Sequence, residues 1–143
     1  MLGLALAVLW RRPSVFAAVL GADFGAQLAA YALKEAIGRR RPPVADHVHA
    51  LVRVPHDPSF PSGHAASSFA CATVLAAYAP RASVPLFLLA AAIAFSRVYV
   101  GVHYPLDVLG GAALGVLLGG VAVRALRLRG AGRPRSLRAP RSG

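Results

Sequence analysis

Three short motifs in the sequence gather side chains that suit phosphate chemistry. In chain order they are Lys34-x6-Arg41-Pro42, Pro61-Ser62-Gly63-His64 and Ser96-Arg97-x5-His103-x3-Asp107. Lysine and arginine can bind phosphate oxygens, one imidazole can attack phosphorus, and another can protonate the leaving group. The motifs therefore predict a site that holds a phosphate and breaks one of its bonds. All three lie at the ends of apolar segments, so we expect that phosphate at a membrane surface.

The first motif supplies two cations. Lys34 and Arg41 are two helical turns apart, so they share one face if the helix extends that far. Pro42 is expected to stop the helix after them. A lysine offers a point charge and an arginine a planar fork that can grip two phosphate oxygens. The alternative is a solvated membrane flank, which is our interpretation of Arg39 and Arg40.

The second motif has the features of an anion-binding helix start. Pro61 sets the entry of the chain, Ser62 can cap the helix, and Gly63 leaves its amide open to a ligand. Helix N-terminal amides attract anions, and His64 would lie beside the bound group. An ordinary capping turn with a surface histidine is the alternative.

The third motif pairs a histidine with an acid. Arg97 ends an apolar segment, where a charge needs a partner, and His103 lies in the break that follows. Asp107, four residues further on, can accept one imidazole N–H and leave the other ring nitrogen as a nucleophile. A structural histidine–aspartate pair is the alternative.

The composition indicates a single-domain membrane protein. Of the 143 residues, 57% are hydrophobic, and the mean hydropathy is +0.57. The net charge is +11, because 16 lysines and arginines face five acids. Such a balance also suits nucleic-acid binding, but the apolar content favours a membrane protein with cationic flanks. Cys71 is the one cysteine, which excludes a disulfide framework and a cysteine-based metal site.

The apolar segments predict an all-α transmembrane bundle. We expect a short N-terminal helical fragment, Leu2–Trp10, which is too short to span a bilayer at about 13 Å. Four full transmembrane helices are expected to follow, at Ser14–Gly38, Ala65–Ala79, Ser83–Val100 and Pro105–Val123.

Small and polar residues inside these segments suggest how the helices pack. The glycines at 111, 115 and 119 would allow a neighbouring helix to approach closely, although an alanine- and glycine-rich composition could also produce them. Asp23 and Gln27 lie in the middle of the first span. An intramembrane acid is a candidate functional residue, but we favour a helix–helix hydrogen bond for Asp23.

The distribution of arginines predicts an orientation. Arginines at 11, 12 and 81, and seven from Arg124 to Arg141, fall on one side of an alternating topology, and the positive-inside rule makes that side cytoplasmic. The motifs then lie on the extracytoplasmic side, where Arg39–Arg41 and Arg53 violate the rule unless they serve to bind an anion. We expect a membrane domain at 1–129 and a basic, disordered cytoplasmic tail at 130–143.

Taken together, the three motifs resemble the signature of the type 2 phosphatidic acid phosphatase (PAP2) superfamily, which includes vanadium haloperoxidases and bacterial acid phosphatases. Every defining position is present between Lys34 and Asp107. Membrane members commonly have six spanning helices, whereas this chain is expected to have four and a fragment.

The resemblance implies a role for each motif residue. His103 would be the nucleophile that forms a phosphohistidine, Asp107 would orient it, and His64 would be the general acid and then the general base. The residues expected to bind the phosphate are Lys34, Arg41, Ser62, Gly63 and Arg97. Neither a metal nor another cofactor is expected.

These features predict a lipid phosphatase of a bacterial cell membrane, acting on phosphatidic acid-like or polyprenyl phosphates and diphosphates. Lipid phosphates and membrane lipids are the expected partners, and nucleic acid is not expected. The alternatives are a vanadate-dependent haloperoxidase and a non-catalytic membrane protein whose basic tail binds lipid or nucleic acid. The histidines at 47, 49 and 56 are expected in a solvated loop, in preference to a metal site.

Overall fold

The computed structural model describes residues 13–47 and 49–131, and the regular secondary structure within them is all helical. The five α-helices are α1 (Pro13–Ile37), α2 (Pro42–Ala45), α3 (Gly63–Tyr78), α4 (Ser83–Tyr99) and α5 (Pro105–Ala131), with a 3-10 turn at Pro80–Ala82. The all-α prediction is confirmed for this part of the chain. The expected N-terminal fragment, Leu2–Trp10, and residues 132–143 of the expected tail lie outside it, while α5 continues past its predicted end at Val123.

The first helix ends at Ile37, within one residue of the predicted span Ser14–Gly38, and does not extend to Arg41. Gly38 adopts a positive φ of 65°, and its amide donates to the carbonyl of Lys34 over 2.8 Å, which is a typical glycine C-cap. Lys34 and Arg41 therefore do not lie on one face of a single helix, because Arg41 follows the end of α1. Pro42 does not stop α1 but begins the single turn of α2, because proline suits the first helical position.

The fifth helix packs directly against α3 through its glycines. A Cβ atom at Gly115 would lie 2.9 Å from the amide nitrogen of Ala70, and one at Gly119 would lie 2.7 Å from the carbonyl oxygen of the same residue. A Cβ at Gly111 would lie 3.0 Å from that of Ala65. The predicted close approach is confirmed, and composition alone does not explain the three glycines, because each one faces α3.

Small residues also line the contact between α1 and α3. Alanines at every fourth position of α1 form a core cluster with residues of α3: Ala18, Ala22, Ala26, Ala30, Ala66, Ala70 and Val74. On the same helix, Asp23 accepts a hydrogen bond from the hydroxyl of Ser67 in α3. This is the helix–helix hydrogen bond that we favoured for Asp23.

Within the described residues, three segments are long and apolar enough to cross a membrane: Pro13–Ala45, Pro80–Tyr99 and Pro105–Leu128. The predicted count of four full spans is not confirmed, because α3 has only 16 residues, a length of about 24 Å. α3 instead occupies the centre of the bundle, in contact with α1, α4 and α5. The outer helices expose bulky apolar side chains such as Phe24 and Leu88, which suits contact with lipid.

Replacing Gly115 with alanine is expected to destabilise the bundle by about 1–3 kcal/mol, because the added methyl group would overlap the backbone of α3. The matched control is Gly120→Ala on the same helix, where a Cβ meets nothing within 4 Å. The control should be neutral or stabilising by up to about 1 kcal/mol, because alanine favours the helix. Thermal unfolding in detergent measures both variants. Equal melting temperatures would show that the close contact with α3 does not stabilise the fold.

Candidate active site

Four helix ends meet at one end of the bundle and carry the three motifs. α1 ends there with Lys34 in its last turn, and α3 begins there after its N-cap Ser62. α4 carries Arg97 in its last turn, and α5 carries Asp107 in its first turn. The amide of Ser62 donates to the carbonyl oxygen of Asp107 over 2.9 Å and joins the starts of α3 and α5. Motifs that are far apart in the chain thus lie side by side.

The histidine and the acid of the third motif are buried next to each other. Nδ1 of His103 lies 3.5 Å from Oδ2 of Asp107, but this contact lacks hydrogen-bond geometry, and Nδ1 has no hydrogen-bond partner in the described part of the chain. The carboxylate is engaged elsewhere: Oδ2 accepts the amide of Tyr104 and Oδ1 pairs with Nη1 of Arg39, each over 2.9 Å. The predicted pair is therefore in place, but its predicted hydrogen bond is not formed.

Arg41 contacts the other ring nitrogen of His103. Its Nη1 lies 3.2 Å from Nε2 and donates to the carbonyl of Val102 over 2.9 Å. A guanidinium has donors only, so Nε2 is the acceptor in this contact, and the ring proton of the neutral imidazole is on Nδ1. The lone pair of Nε2 therefore points toward the guanidinium of Arg41.

The two cations of the first motif share one carboxylate, that of Asp57. Oδ2 of Asp57 lies 2.7 Å from Nζ of Lys34, and Oδ1 lies 2.9 Å from Nη2 of Arg41. Nε of Arg41 also donates to the carbonyl oxygen of Asp57 over 2.8 Å. Burial by itself raises the pKa of Asp57, but the hydrogen bonds and charges of Lys34 and Arg41 outweigh it and leave the pKa below its usual value.

The second motif begins α3 as predicted. The Oγ of Ser62, which is fully buried, accepts the amide of Ala65 at 3.5 Å, a long N-cap contact. Gly63 is the first helical residue, and a Cβ there would lie 3.0 Å from the side-chain oxygen of Gln27. The predicted cap is confirmed, and Gln27 lies at the edge of the site.

His64 and Arg97 are more accessible than the other predicted residues. His64 is exposed, and Arg97 is half-buried, with its Nε 3.3 Å from the hydroxyl of Ser96. Although His64 is exposed at the surface, the partial loss of water around its ring, followed by nearby cations that include Arg97 and Arg41, lowers its pKa. The structure thus brings His64 and Arg97 to the open side of the site, and Lys34, Arg41, Ser62, His103 and Asp107 to its buried side.

Sequence reasoning missed Arg39, Asp57 and Tyr104. Arg39 was interpreted as a solvated flank, yet its guanidinium pairs with buried Asp107 and stacks 4.3 Å from the ring centroid of Tyr104. The sequence did carry one signal for Arg39, because it lies on the predicted extracytoplasmic side, where the positive-inside rule disfavours arginine. Asp57 had no comparable signal, because its carboxylate reaches the site only through the folding of the loop that precedes α3.

The loop histidines at 47, 49 and 56 do not converge with acids on a metal site. Among residues 13–47 and 49–131, no group of three His, Cys, Asp or Glu side chains is arranged to hold a metal ion. The nearby acids are engaged instead: Asp46 accepts the hydroxyl of Tyr104, and Asp57 binds the two cations.

Comparisons with known proteins agree with this arrangement. A family model for the PAP2 superfamily matches residues 14–131. The chain is 40% identical over 119 residues to the decaprenylphosphoryl-5-phosphoribose phosphatase of Mycobacterium tuberculosis, covering 82% of this chain and 64% of that protein. It is 37% identical over 79 residues to the undecaprenyl-diphosphatase of Bacillus subtilis, covering 55% of this chain and 41% of that protein.

A solved structure has the same fold. The crystal structure of Aquifex aeolicus LpxE superposes with a TM-score of 0.72 and 31% sequence identity, covering 86% of this chain and 76% of that chain. The chain spans less than two thirds of the length of both curated relatives named above.

Replacing Asp57 with asparagine is expected to lower the free energy of unfolding at neutral pH, and with it the melting temperature. The loss should be less than about 1 kcal/mol, because the carboxylate side chain is 41% exposed. The folded-state pKa is lowered, so this stabilisation is present above the usual pKa of an aspartate and is lost as the pH falls through the lowered value. The gap between wild type and variant should therefore close on acidification. Thermal unfolding across pH measures it, with exposed Glu35→Gln as the charge-matched control. A gap that widens in acid would contradict this assignment.

Proposed function

The chain belongs to the PAP2 superfamily, and from this premise we propose that it is a membrane phosphatase that hydrolyses phosphate monoesters or diphosphates of lipids. Phosphatidic acid-like lipids and polyprenyl phosphates are the proposed substrate classes. Two of the relatives named above have polyprenyl compounds in their names, which supports the second class.

One contact carries the proposal, the 3.2 Å approach of the Arg41 guanidinium to Nε2 of His103. A ring nitrogen with a lone pair is a nucleophile, and a buried guanidinium beside it is a strong phosphate ligand. Lys34 is joined to the same guanidinium through Asp57, so a second cation lies nearby. The arrangement would hold phosphorus close to the attacking atom.

In the proposed reaction, Nε2 of His103 bonds to phosphorus as the bond to the leaving oxygen breaks. His64 protonates that oxygen, then accepts a proton from water, which attacks phosphorus and releases inorganic phosphate from the histidine. The equatorial oxygens would be bound by Lys34, Arg41, Ser62, the Gly63 amide and Arg97. Asp107 would orient His103 and stabilise the imidazolium of the intermediate.

The lowered pKa of His64 fits this proposal. In the absence of substrate, partial burial and the nearby cations favour the neutral imidazole. A bound phosphate dianion adds negative charge beside His64 and favours its protonated form. His64 would then become an acid when substrate arrives, which is when a proton is needed.

An apolar groove between α3 and α4 supports a lipid substrate. It has a volume of about 290 Å³ and includes Ser67, one turn after His64, and Ile93, one turn before Arg97. It runs away from the candidate site along both helices. We propose that it holds hydrocarbon chain while the phosphate enters between the cations.

We also propose that α3 crosses the membrane as a fourth, shorter helix that is surrounded by α1, α4 and α5. The motif end of the bundle would then face the extracytoplasmic side and the C-terminal tail the cytoplasm, in a bacterial cell membrane. The positive charges at Arg81 and at the end of α5 support this orientation.

The activity is tested with purified protein on phosphatidic acid, phosphatidylglycerophosphate and polyprenyl diphosphate, by measuring phosphate release. His103→Ala should lower the rate by at least about 10³-fold, because it removes the nucleophile. His64→Ala should lower it by about 10²- to 10⁴-fold, because it removes proton transfer.

Exposed His49→Ala is the matched control and should retain wild-type activity. Turnover should also persist in EDTA. Unchanged phosphate release by His103→Ala would favour a non-catalytic protein, and a strict requirement for a divalent metal would contradict the proposed mechanism.

The orientation is tested by labelling single cysteines in a Cys71→Ala background. A membrane-impermeant maleimide added to intact cells should label a cysteine at Val52, in the exposed loop beside the site, and not one at Arg81, between α3 and α4. The reverse labelling pattern would overturn the proposed orientation without affecting the proposed chemistry.

A further inference from the structure

We propose that Arg39 is a positioning residue that balances the charge of Asp107, so that His103 stays neutral until it attacks phosphorus. The inference rests on the proposed phosphatase function and adds a residue at a variable position of the first motif, between Lys34 and Arg41. Arg39 would not touch the substrate. It would act on the reaction through Asp107.

The burial of Asp107 is the first part of the argument. Its side chain is fully buried, and a buried carboxylate needs a partner to offset the loss of water. The ion pair with Arg39 has an N–O distance of 2.9 Å, whereas His103 is 3.5 Å away without a hydrogen bond. Arg39 is therefore the cation that makes a hydrogen-bonded ion pair with Asp107, and His103 is its more distant neighbour.

The guanidinium of Arg39 is itself held in place. It stacks on the ring of Tyr104, with its Cζ 4.3 Å from the ring centroid, and the Tyr104 hydroxyl donates to Asp46 at the end of α2. The carbonyl of Arg39 also accepts the amide of Ser59 over 2.8 Å. These contacts connect the surface loop to the buried carboxylate and fix the position from which Arg39 acts.

Electrostatics gives the reason why this position matters. If Asp107 acted on His103 alone, its charge would favour the imidazolium, in which Nε2 carries a proton and cannot attack. With Arg39 in place, the neutral ring keeps its lone pair. When Nε2 bonds to phosphorus the ring gains positive charge, and its attraction to the nearby carboxylate grows as the reaction proceeds.

The other charges around His103 act in the same direction. Arg41 contacts Nε2 of His103, and Lys34 acts on Asp107 from α1. His64 of α3 lies near His103, and Arg97 of α4 acts on His64. The acid Asp57 is paired with Lys34 and Arg41, and Asp46 with Tyr104. Asp107 is thus the acid beside the nucleophile, and Arg39 sets how strongly its charge acts on the ring.

Replacing Arg39 with glutamine is expected to lower kcat by roughly 10- to 100-fold while KM stays within about threefold, because the substrate contacts remain. The acid limb of the pH–rate profile should move to higher pH. Removal of the cation leaves the carboxylate unbalanced, which favours the imidazolium, so the nucleophile is lost at a higher pH than in wild type. Steady-state kinetics across pH with a lipid phosphate measures all three quantities.

Two further variants serve as controls. Arg40→Gln removes the same charge from the adjacent, exposed position and should leave kcat and the pH profile unchanged. Arg39→Lys keeps the charge without the full fork, so it should restore the acid limb and part of kcat. If Arg39→Gln does not fold, Arg39→Lys provides the test. Its acid limb should match that of wild type, because the positive charge beside Asp107 is kept.

A double-mutant cycle separates positioning through Asp107 from a general effect. In an Asp107→Asn background, Arg39→Gln should cause no further loss. Four outcomes would each overturn the proposal. Two concern Arg39→Gln, namely an unchanged pH profile or a raised KM with kcat retained. The others are a full additive loss in the double mutant and a displaced acid limb in Arg39→Lys. If wild type and His103→Ala were equally inactive, the proposed function itself would be wrong.

Discussion

The organisation of this protein depends on neutralising cations that are collected at the end of an apolar bundle. Lys34 and Arg41 are buried there, where repulsion and lost hydration oppose their charge. Asp57 binds both of them, and Asp107 pairs with Arg39 beside the histidine. Each acid thus allows cations to remain charged and close together, which is the condition that a phosphate site requires.

Close helix packing delivers these side chains to one place. The glycine face of α5 lets the backbone of α3 approach, and the alanines of α1 do the same on the other side of α3. The amide of Ser62 can then reach the carbonyl of Asp107, so the starts of α3 and α5 are held together. In an apolar solvent such contacts between small residues supply the association that the hydrophobic effect supplies in water.

Much of the fold could be predicted from periodicity and composition. Apolar length and helix-breaking residues identified the long helices, and glycine spacing identified the face of α5 that packs on α3. The end of α1 was predicted to within one residue, but the extension that would place Lys34 and Arg41 on one helix face is not formed, because the positive φ of Gly38 ends the helix. The prediction of α3 as a full span is not confirmed, since burial at the centre of a bundle and contact with lipid leave similar apolar patterns.

The sequence by itself determined which side chains could serve phosphate chemistry and that they lie at helix ends, because spacing and residue type are local properties. Tertiary structure alone decided how their charges are balanced. Arg39 appeared to be a solvated flank and Asp57 a loop residue, yet these two make the ion pairs that organise the site. Ion pairs between segments depend on how a loop and several helix ends meet in space, and no local pattern in the chain encodes that meeting.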